Sequence, residues 1–392
     1  MKKLLAIILA ALMLVPMLAA CDRSGTQKGD YKVAMITDYG DITDQSFNQT
    51  TYEACKEYCD ANKIDFQYFK PAGDSTEERV AKVEEAIDGG YNIIVMPGFA
   101  FAGTLYQVQD KEEYKDVKFI ALDVSEYDLF DCFYKHDETG ARAGLIDENN
   151  KEHISENVYC AVYKEELCGY MAGYAAVKLG YTHLGFLGGM AVPAVIRYGY
   201  GFVQGADAAA QELGQNIEIN YFYGGQFYGD ANITSRMEGW YSNGTQVVFA
   251  CGGGIYTSAV EAALKNNGYV IGVDVDQNYI GANGVADGTY AYNPFITSAM
   301  KGLSAAVETA LTDIEGGEWS EIAATNGNFG LEDGDYIGLP TDDDSWNFES
   351  FTKDEYEAVK AKIASGEIAV DNSSDDATKP TVSEFTTVTY IQ

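Results

Sequence analysis

The densest group of residues able to bind a small molecule follows the first apolar run of the chain. It reads Thr-Asp-Tyr-Gly-Asp-Ile-Thr-Asp-Gln-Ser-Phe-Asn and supplies a carboxylate (Asp38), an aromatic ring (Phe47) and an amide (Asn48) just before a predicted helix. Polar groups beside a flat apolar surface are typical of a pocket for a ring-bearing ligand. The same residues fit an ordinary helix start, with Asp44 or Ser46 as the cap and Phe47 packed into the core. This loop alone does not decide between the two.

Reaction chemistry has little support in the sequence. No phosphate-binding P-loop, His-Glu-x-x-His, Gly-x-Ser-x-Gly or glycine-rich dinucleotide fingerprint occurs, and the chain has only 3 His. Cys55 and Cys59 stand four apart on a predicted helix, but no His or Cys-x-x-Cys supports a metal site, and we favour buried free thiols. The run beginning at Asp274 starts like a calcium loop, yet Tyr279 occupies the position that requires glycine. We predict a binding protein, not an enzyme, with no metal and no cofactor.

The composition limits the partners. Asp and Glu number 60 against 26 Lys and Arg, which gives a formal net charge of -34. A nucleic-acid groove needs clustered cations, so nucleic acid is not expected as a partner. The 392 residues exceed the ~250 at which a single core tends to divide. A hydrophobic content of 46%, with 29 Tyr and 18 Phe, is ample for two packed lobes with aromatic surface to spare.

The first 30 residues predict export and membrane attachment. The chain opens with Met-Lys-Lys, continues with an apolar run, and reaches Leu-Ala-Ala-Cys at Cys21, which resembles the bacterial lipoprotein box. Removal of residues 1–20 as a signal peptide would leave Cys21 to carry acyl chains, and two or more chains anchor a protein stably. An ordinary secretory peptide is the alternative. Residues 21–30 are predicted to be a tether, which places the protein on the extracytoplasmic face of the bacterial cell membrane.

Apolar strands and helices alternate along the chain, and they must position the polar loops. Strands are predicted at 33–37, 65–69, 92–97, 118–124, 183–187, 218–223, 246–250 and 270–273, with helices between them. Several of these strands, such as Ile-Ile-Val-Met at 93–96, are continuously apolar, as expected when both faces of a parallel sheet are buried. The alternation pauses near residues 147–157 and then restarts. The predicted fold class is therefore α/β, with two doubly wound parallel-sheet lobes joined by a hinge.

The lobes are predicted to be built from separated stretches of chain. The N-terminal lobe comprises residues 31–157 plus about 278–330, and the C-terminal lobe comprises residues 158–277 plus about 331–392. One of the later helices is predicted at 297–314. Ligands of open α/β sheets bind beyond the carboxyl ends of the strands. The two lobes should therefore share one cleft lined by strand-end loops.

Several blocks of the sequence resemble one family. The loop that starts at Asp38 resembles the Asp-x-Gly-x-x-x-Asp-x-Ser-Phe-Asn signature of the basic membrane protein family, the nucleoside-binding lipoproteins that feed ABC importers. The resemblance continues in family order through residues 166–176, 185–193, 201–205, 252–254, 271–277 and 297–301. It spans about residues 32–307 and is more specific than any single block. It implies a type I periplasmic-binding-protein fold with a purine nucleoside between the lobes.

The resemblance also implies roles for individual residues at the base. Phe47 would stack on the base, Asn48 would hydrogen-bond the base edge, and Asp123 would bind another polar edge of the base. A stacked aromatic ring contributes ~1–3 kcal/mol per base. A second stacking aromatic is expected among Tyr198, Phe227 and Tyr256, for each of which ordinary packing within a lobe is the alternative.

For the ribose, the resemblance implies that Asp38, Asp274 and Lys301 hold the hydroxyl groups and that Gly253 lets the backbone approach closely. The strand pattern agrees with these positions, because Asp38, Asp123, Gly253 and Asp274 each lie just past the carboxyl end of a predicted strand. Carboxylates accept hydrogen bonds from ribose hydroxyls and base N–H groups. A phosphate would be repelled by so many acids, so a nucleoside or base fits better than a nucleotide.

Two stretches depart from the family pattern. Residues 127–157 are expanded, and residues 223–227 align weakly, so the ligand subtype stays open. The predicted function is a membrane-anchored substrate-binding protein that closes around a purine nucleoside and delivers it to an ABC permease served by a separate ATPase. The alternatives are a receptor that binds a sugar or another small molecule for a membrane sensor, and a nucleoside-cleaving enzyme.

Overall fold

The computed structural model describes residues 31–135, 154–334 and 336–392. Its strands are β1 (Lys32–Ile36), β2 (Asp65–Phe69), β3 (Ile93–Pro97), β4 (Lys118–Leu122), β5 (Val158–Tyr163), β6 (His183–Gly188), β7 (Ile217–Tyr223), β8 (Val247–Cys251), β9 (Tyr269–Asp274), β10 (Phe295–Lys301), β11 (Thr325–Phe329), β12 (Ile337–Gly338) and β13 (Thr386–Ile391). Its α-helices are α1 (Phe47–Asn62), α2 (Thr76–Asp88), α3 (Phe101–Val108), α4 (Glu126–Lys135), α5 (Glu165–Lys178), α6 (Pro193–Leu213), α7 (Ala231–Ser242), α8 (Tyr256–Asn266), α9 (Asn278–Ala286), α10 (Leu303–Gly316), α11 (Trp319–Ile322) and α12 (Lys353–Ala364).

The strands form two sheets. The first sheet has the order β11-β5-β4-β3-β1-β2, and the pairs in it are parallel. The second has the order β12-β10-β9-β8-β6-β7-β13 and is parallel apart from the short antiparallel pair of β10 with β12. The predicted α/β class with two parallel-sheet lobes is confirmed.

Burial on both faces explains the continuously apolar strands. Along β1, Val33 and Met35 pack into one hydrophobic cluster, whereas Ala34 and Ile36 pack into another on the opposite face. Successive strand residues point to opposite faces of a sheet, so each face needs its own cover of helices. The continuously apolar strands therefore indicate that helices cover both faces of the sheet.

The chain passes between the sheets three times. It leaves the first sheet after β5 and enters the second at β6, returns to the first sheet after β10, and crosses again from β11 to β12. The carboxyl ends of β5 and β10 thus lie at the connections between the lobes. Lys301 is the last residue of β10, and Glu165 is the first residue of α5, two residues after β5 ends.

Strand pairing differs from the predicted lobe boundaries in two places. Residues 158–163 were assigned to the second lobe, but they form β5, which pairs with β4 and β11 in the first sheet. Residues 297–301 were predicted to be helical and part of the first lobe, but they belong to β10, which pairs with β9 in the second sheet. Within residues 331–392, β12 and β13 join the second sheet, the lobe to which that stretch was assigned.

Two helices near the connection pack unusually closely. A Cβ atom at Gly169 of α5 would collide with the carbonyl oxygen of Tyr198 on α6, and one at Gly205 of α6 would collide with that of Tyr170 on α5. Glycine at these positions removes the side chains that would hold the two backbones apart. The contact fixes the start of α5, with Glu165, against the start of α6, with Arg197.

Among the described residues, no helix is both long enough and apolar enough to cross a membrane. The predicted signal peptide (1–20), lipidated Cys21 and tether (21–30) all lie outside the described residues, as does most of the expanded stretch at 127–157.

Candidate functional site

The carboxyl ends of strands from both sheets face a cavity of about 850 Å³ between the lobes. Such a volume is in the usual range for small-molecule sites. Seven of the residues that line it are those predicted to contact the ligand, namely Asp38, Phe47, Asn48, Asp123, Gly253, Asp274 and Lys301. They come from loops that are far apart in sequence, and the parallel topology brings them together. Their individual roles stay predictions.

The loop between β1 and α1 is organised by Asp44. Its carboxylate accepts hydrogen bonds from the backbone N–H groups of Ser46, Asn48 and Gln49, each at 3.0 Å. Asp44 therefore satisfies the first free N–H groups of α1, a task for which either Asp44 or Ser46 had been considered. Burial raises the pKa of Asp44 to about 6, although these hydrogen bonds oppose the shift. The cap fixes the direction in which Phe47 and Asn48 leave the helix.

Asp38 is held by its own loop. Its Oδ1 atom accepts hydrogen bonds from the backbone N–H groups of Tyr39 and Gly40, both at 2.7 Å, and from Asn48 Nδ2 at 3.4 Å. Burial raises the pKa of Asp38, and the two backbone hydrogen bonds oppose that rise. A Cβ atom at Gly40 would overlap the Asn48 amide and press on Asp38, so glycine is required for this approach. The contacts place Asp38 beside Asn48.

Phe47 lies between the core and the cavity. Its side chain is partly buried, packs against the main hydrophobic cluster and lines the cavity. The Lys301 ammonium stands 4.6 Å from its ring centroid, within the range of a cation–π contact. Phe47 is therefore not a purely internal staple, and part of its surface is available to a ligand.

A cluster of buried charges forms the deepest part of the site. We call it the hinge cluster, and it consists of Lys301, Asp123, Asp274, Glu165 and Arg197. Lys301 Nζ lies 2.6 Å from Asp123 Oδ2, 3.5 Å from Glu165 Oε1 and 3.8 Å from Asp274 Oδ1. Arg197 Nε donates to Glu165 Oε2 at 2.7 Å. Two cations, Lys301 and Arg197, thus pair with three carboxylates.

Burial controls the protonation of the hinge cluster. It raises the pKa of Asp123 to about 6 and also raises the pKa of Asp274, although the Lys301 ammonium opposes both shifts. Burial alone would lower the pKa of Lys301, but the three neighbouring carboxylates outweigh it and hold this pKa above its usual value. Lys301 therefore stays charged, while burial leaves the pKa of Asp123 well above the usual value of a carboxylate.

The two strand-end carboxylates share an uncommon backbone conformation. Asp123 has φ 58° and Asp274 has φ 67°, both in the left-handed region that non-glycine residues seldom adopt. Asp123 follows β4 of the first sheet, and Asp274 ends β9 of the second. Such strain persists only where the surrounding structure imposes it, and it concentrates at functional sites. Each lobe thus turns one strained carboxylate toward Lys301.

Direct contacts join the lobes around the cavity. Ser46 Oγ of the first lobe donates to Asp274 Oδ2 at 2.6 Å, and Gln277 Nε2 of the second lobe donates to the carbonyl oxygen of Gln45 at 2.9 Å. Tyr279 OH donates to Gln45 Oε1 at 2.6 Å. These contacts join the two walls of the cleft.

The three candidate second aromatics differ in position. Phe227 is partly buried and lines the cavity. Tyr198 also lines it but is 1% exposed, packs edge-on against Phe249, and directs its hydroxyl toward Asp274 Oδ1 at 3.5 Å. Tyr256 is buried in α8 against Phe295 and is not among the residues that line the cavity. The structure therefore favours Phe227 as the second ring.

Two acceptor atoms at the site have no hydrogen-bond partner within the described part of the chain, Asn48 Oδ1 and Asp123 Oδ1. Both residues line the cavity. A buried acceptor without a donor carries a free-energy cost, so these atoms favour a ligand that brings N–H or O–H donors. The described residues contain no group of three His, Cys, Asp or Glu side chains able to hold a metal ion.

Sequence reasoning missed the second half of the hinge cluster. Glu165 and Arg197 were not singled out, and Ser46 was considered only as a helix cap. Glu165 sits 32 positions from Arg197 and 136 from Lys301, so no local motif records their contact. The available signal was the position of Glu165 two residues after a fully apolar run, Val-Tyr-Cys-Ala-Val-Tyr, that was not recognised as a strand.

Two parallel α/β lobes that meet over a polar, aromatic-lined cavity define a bilobed substrate-binding protein. A family model described as ABC transporter substrate-binding protein PnrA-like matches residues 31–374, and the chain belongs to this family. The suspected membership of the basic membrane protein family is thereby confirmed.

Three relatives match over nearly their full length. The chain is 26% identical over 388 residues to the ABC transporter nucleoside-binding protein BmpA of Lactococcus lactis subsp. cremoris, covering 94% of this chain and 99% of that protein. It is 28% identical over 374 residues to a CD4+ T-cell-stimulating antigen of Listeria monocytogenes, covering 90% and 94%. It is 26% identical over 367 residues to basic membrane protein A of Borreliella afzelii, covering 90% and 95%.

Solved structures share the fold. An ABC transporter solute-binding protein from Aeropyrum pernix K1 superimposes with a TM-score of 0.68 at 20% identity, covering 88% of this chain and 95% of that one. A solute-binding protein from Conexibacter woesei gives a TM-score of 0.63 at 21% identity, covering 87% and 99%. The predicted type I periplasmic-binding-protein fold is confirmed.

Proposed function

We propose that this ABC transporter substrate-binding protein captures a purine nucleoside in the cleft between its lobes. The observation that carries the proposal is the convergence of a partly exposed ring, Phe47, with acceptor atoms of Asn48, Asp123 and Asp274 on one cavity. A nucleoside offers a flat base together with N–H and O–H donors, which matches this combination. The nucleoside-binding description of the Lactococcus relative supports the same class of ligand.

The base is proposed to lie between Phe47 and Phe227. Asn48 would accept or donate hydrogen bonds, and the Asp123 carboxylate would accept them, along the polar edges of the base. Asp38 was predicted to hold a ribose hydroxyl, but its contact with Asn48 at 3.4 Å favours a place at the base edge instead. A carboxylate paired with an amide serves a base edge well, because the two groups together offer acceptors and a donor.

The ribose is proposed to lie over the second sheet. Asp274 and Lys301 would hold its hydroxyls, with the backbone at Gly253 close by. Gly253 has φ 50°, and a Cβ atom there would stand 3.0 Å from the Phe227 carbonyl oxygen, so a side chain would strain the wall of the cavity. The surplus of carboxylates around Lys301 disfavours a phosphate, which makes a nucleoside a better ligand than a nucleotide.

The proposed function also includes a role in transport. Acyl chains on Cys21 would anchor the protein to the extracytoplasmic face of the membrane, and lobe closure would let a permease distinguish loaded from empty protein. A separate ATPase would supply the energy. Mass spectrometry of the protein from its native membrane tests the anchor, with a lipid-modified N-terminal cysteine as the expected result and an unmodified cleavage product as the contrary one.

Calorimetric titration of residues 22–392 tests the ligand class. The ligands are inosine, guanosine, adenosine, uridine, ribose and a branched-chain amino acid. We expect saturable binding of purine nucleosides and none of the amino acid. Binding of ribose with no response to nucleosides would replace the proposal with a sugar-binding function. Chromatography of the incubated nucleosides is the companion measurement, because release of free base would indicate an enzyme.

A further inference from the structure

Glu165 occupies an uncommon position for a carboxylate. Its side chain is 0% exposed, and it lies between two cations, with Oε2 accepting from Arg197 Nε at 2.7 Å and Oε1 standing 3.5 Å from Lys301 Nζ. A buried charge is tolerated only when it is paired and hydrogen-bonded. Glu165 is not among the residues that line the cavity, so it does not touch a ligand there.

The Lys301 ammonium needs a partner that fixes its position. Its side chain is 2% exposed, and its ammonium group is shared among Asp123 of the first lobe, Asp274 of the second lobe and Glu165 at the connection between them. A lysine side chain is long, has many rotamers and acts as a point charge with no fixed geometry. Attraction to Asp123 alone, at 2.6 Å, would draw the ammonium toward the first lobe.

Arg197 fixes Glu165 in turn. It lies in the second turn of α6, which packs closely on α5 through the glycine contacts described above. Its planar guanidinium is well suited to hold a carboxylate in one orientation. The chain of contacts therefore runs from a rigid helix pair, through Arg197 and Glu165, to the Lys301 ammonium.

We propose that Glu165 is a positioning residue of the ligand site, which holds the Lys301 ammonium between Asp123 and Asp274 and is itself oriented by Arg197. The inference rests on the proposed nucleoside function, because it concerns how that site is arranged. Residues that orient the groups contacting a ligand affect binding without contacting the ligand themselves.

A structural ion pair and a positioning residue differ in their pH signature. The titratable and charged groups that face Asp123 are Tyr163 of β5, Glu165 of α5, Arg197 of α6, Asp274 of β9 and Lys301 of β10. The charge of Glu165 raises the pKa of both Asp123 and Asp274. Its removal should therefore lower the pKa of Asp123, which keeps the Lys301 ammonium at 2.6 Å, and shift the acid limb of ligand binding.

The test is calorimetric titration of residues 22–392 with inosine between pH 5 and pH 8, for the wild type and Glu165→Gln. We expect Glu165→Gln to weaken binding at pH 7.5 by about tenfold and to move the midpoint of the acid loss of affinity to lower pH. Weaker binding with an unchanged midpoint would reduce Glu165 to a structural role and overturn the inference, as would wild-type binding at every pH.

The matched control is Glu166→Gln. Glu166 is the neighbouring buried carboxylate, and its Oε2 has no hydrogen-bond partner in the described stretches of the chain. We expect this variant to keep the wild-type affinity and midpoint. An equal effect of both substitutions would mean that lost negative charge, and not the position of Glu165, explains the result, and would overturn the inference.

A second pair of variants covers the case in which Glu165→Gln does not fold. Arg197→Met should weaken inosine binding while Arg197→Lys, which keeps the charge, should restore most of it, with folding of both checked by circular dichroism. Unchanged binding by Arg197→Met would overturn the positioning role. If the wild type binds no nucleoside at all, the proposed function fails and the inference falls with it, whereas nucleoside binding by the wild type with unaffected variants removes the inference alone.

Discussion

Two regions of the cleft hold their carboxylates by different means. In the β1–α1 loop, Asp38 and Asp44 accept hydrogen bonds from backbone N–H groups a few residues away. In the hinge cluster, Asp123 and Asp274 depend mainly on the ammonium of Lys301. The first arrangement is complete within one loop, whereas the second requires both lobes and the connection between them.

This difference has consequences for stability and for ligand binding. Backbone N–H groups are neutral and cannot be removed by substitution of a side chain, so the loop should tolerate changes elsewhere in the protein. A buried ion pair depends on each of its members, because loss of one partner leaves the other charge uncompensated. We therefore expect the hinge cluster to be the more sensitive region, and the following predictions test that ranking.

The largest effect is expected for Lys301→Met. It leaves three buried carboxylates with one cation, and we expect the free energy of unfolding at pH 7 to fall by about 3–5 kcal/mol and nucleoside binding to be lost. Urea denaturation and calorimetry measure the two effects. Lys265→Met is the control, because Lys265 bridges Glu238 and Glu261 on the surface and should change neither quantity measurably. Similar losses in both variants would contradict the special role of the buried cluster.

Phe47→Ala is expected to separate binding from stability. Loss of the stacking ring should weaken purine nucleoside binding by about 1–3 kcal/mol, or roughly fivefold to 150-fold, with a smaller effect on unfolding. Tyr68→Ala serves as the control, since this exposed ring lies outside the cavity and should leave affinity unchanged. If Phe47→Ala binds inosine as well as the wild type does, the base does not stack at this position.

The free energy of unfolding and the affinity for a nucleoside should change in opposite directions when the pH is lowered. Asp44 and Asp123 have a pKa of about 6 in the folded protein, above the unfolded value near 3.9, so the folded state binds their protons more tightly between about pH 4 and pH 6. The free energy of unfolding of the ligand-free protein should therefore rise on lowering the pH from 7 to 5, on the order of 1 kcal/mol per group. Nucleoside affinity should fall over the same interval, because a protonated Asp123 no longer accepts as a carboxylate.

Two variants show how much of the pH dependence of stability comes from the β1–α1 loop and how much from the hinge cluster. Asp44→Asn removes one contribution of the loop, where Asp38 also has a raised pKa, and Asp123→Asn removes one contribution of the hinge cluster, where Asp274 also has a raised pKa, so each should flatten the stability profile in part. Only Asp123→Asn should also flatten the acid loss of affinity. Urea denaturation at pH 5 and pH 7 measures the first effect, and calorimetry measures the second. A stability that falls on acidification from pH 7 to pH 5 would contradict the raised pKa values.

The smallest effect is expected for Ser46→Ala. The substitution removes the 2.6 Å hydrogen bond that joins the two lobes at Asp274 and should cost about 1 kcal/mol of ligand affinity, since the closed form loses one contact. Ser242→Ala removes a comparable hydroxyl that bonds Asn266 on the surface of one lobe. We expect no change of affinity in this control. Equal affinities for Ser46→Ala and the wild type would show that this contact does not contribute to closure.

The same contrast explains what could be predicted from the sequence. Asp38, Asp123 and Asp274 were named from the family resemblance, and the strand pattern agreed, because each lies at the carboxyl end of a buried apolar strand and parallel strands end at a common edge. The Asp44 cap was within reach because its partners are two to five residues away. Both the strand ends and the helix cap can therefore be predicted from residues that are close together in the sequence.

Other features depend on contacts that local spacing does not record. Residues 297–301 were predicted to be the start of a helix at 297–314, whereas pairing with β9 makes them part of a strand. The polar strand β11 (Asn and Gly within Thr325–Phe329) likewise depends on its neighbour β5. Glu165 and Arg197 were missed because tertiary packing of α5 on α6 brings Arg197 to Glu165, and strand β10 brings Lys301 to Glu165 from a distant part of the chain.

A crystal structure of residues 22–392 with guanosine tests the central claim most directly. We predict a base stacked on Phe47 and facing Phe227, with its polar edge at Asn48 and Asp123 and its ribose at Asp274 and Lys301. Electron density for the nucleoside outside the cleft, or with its base away from Phe47, would contradict the account.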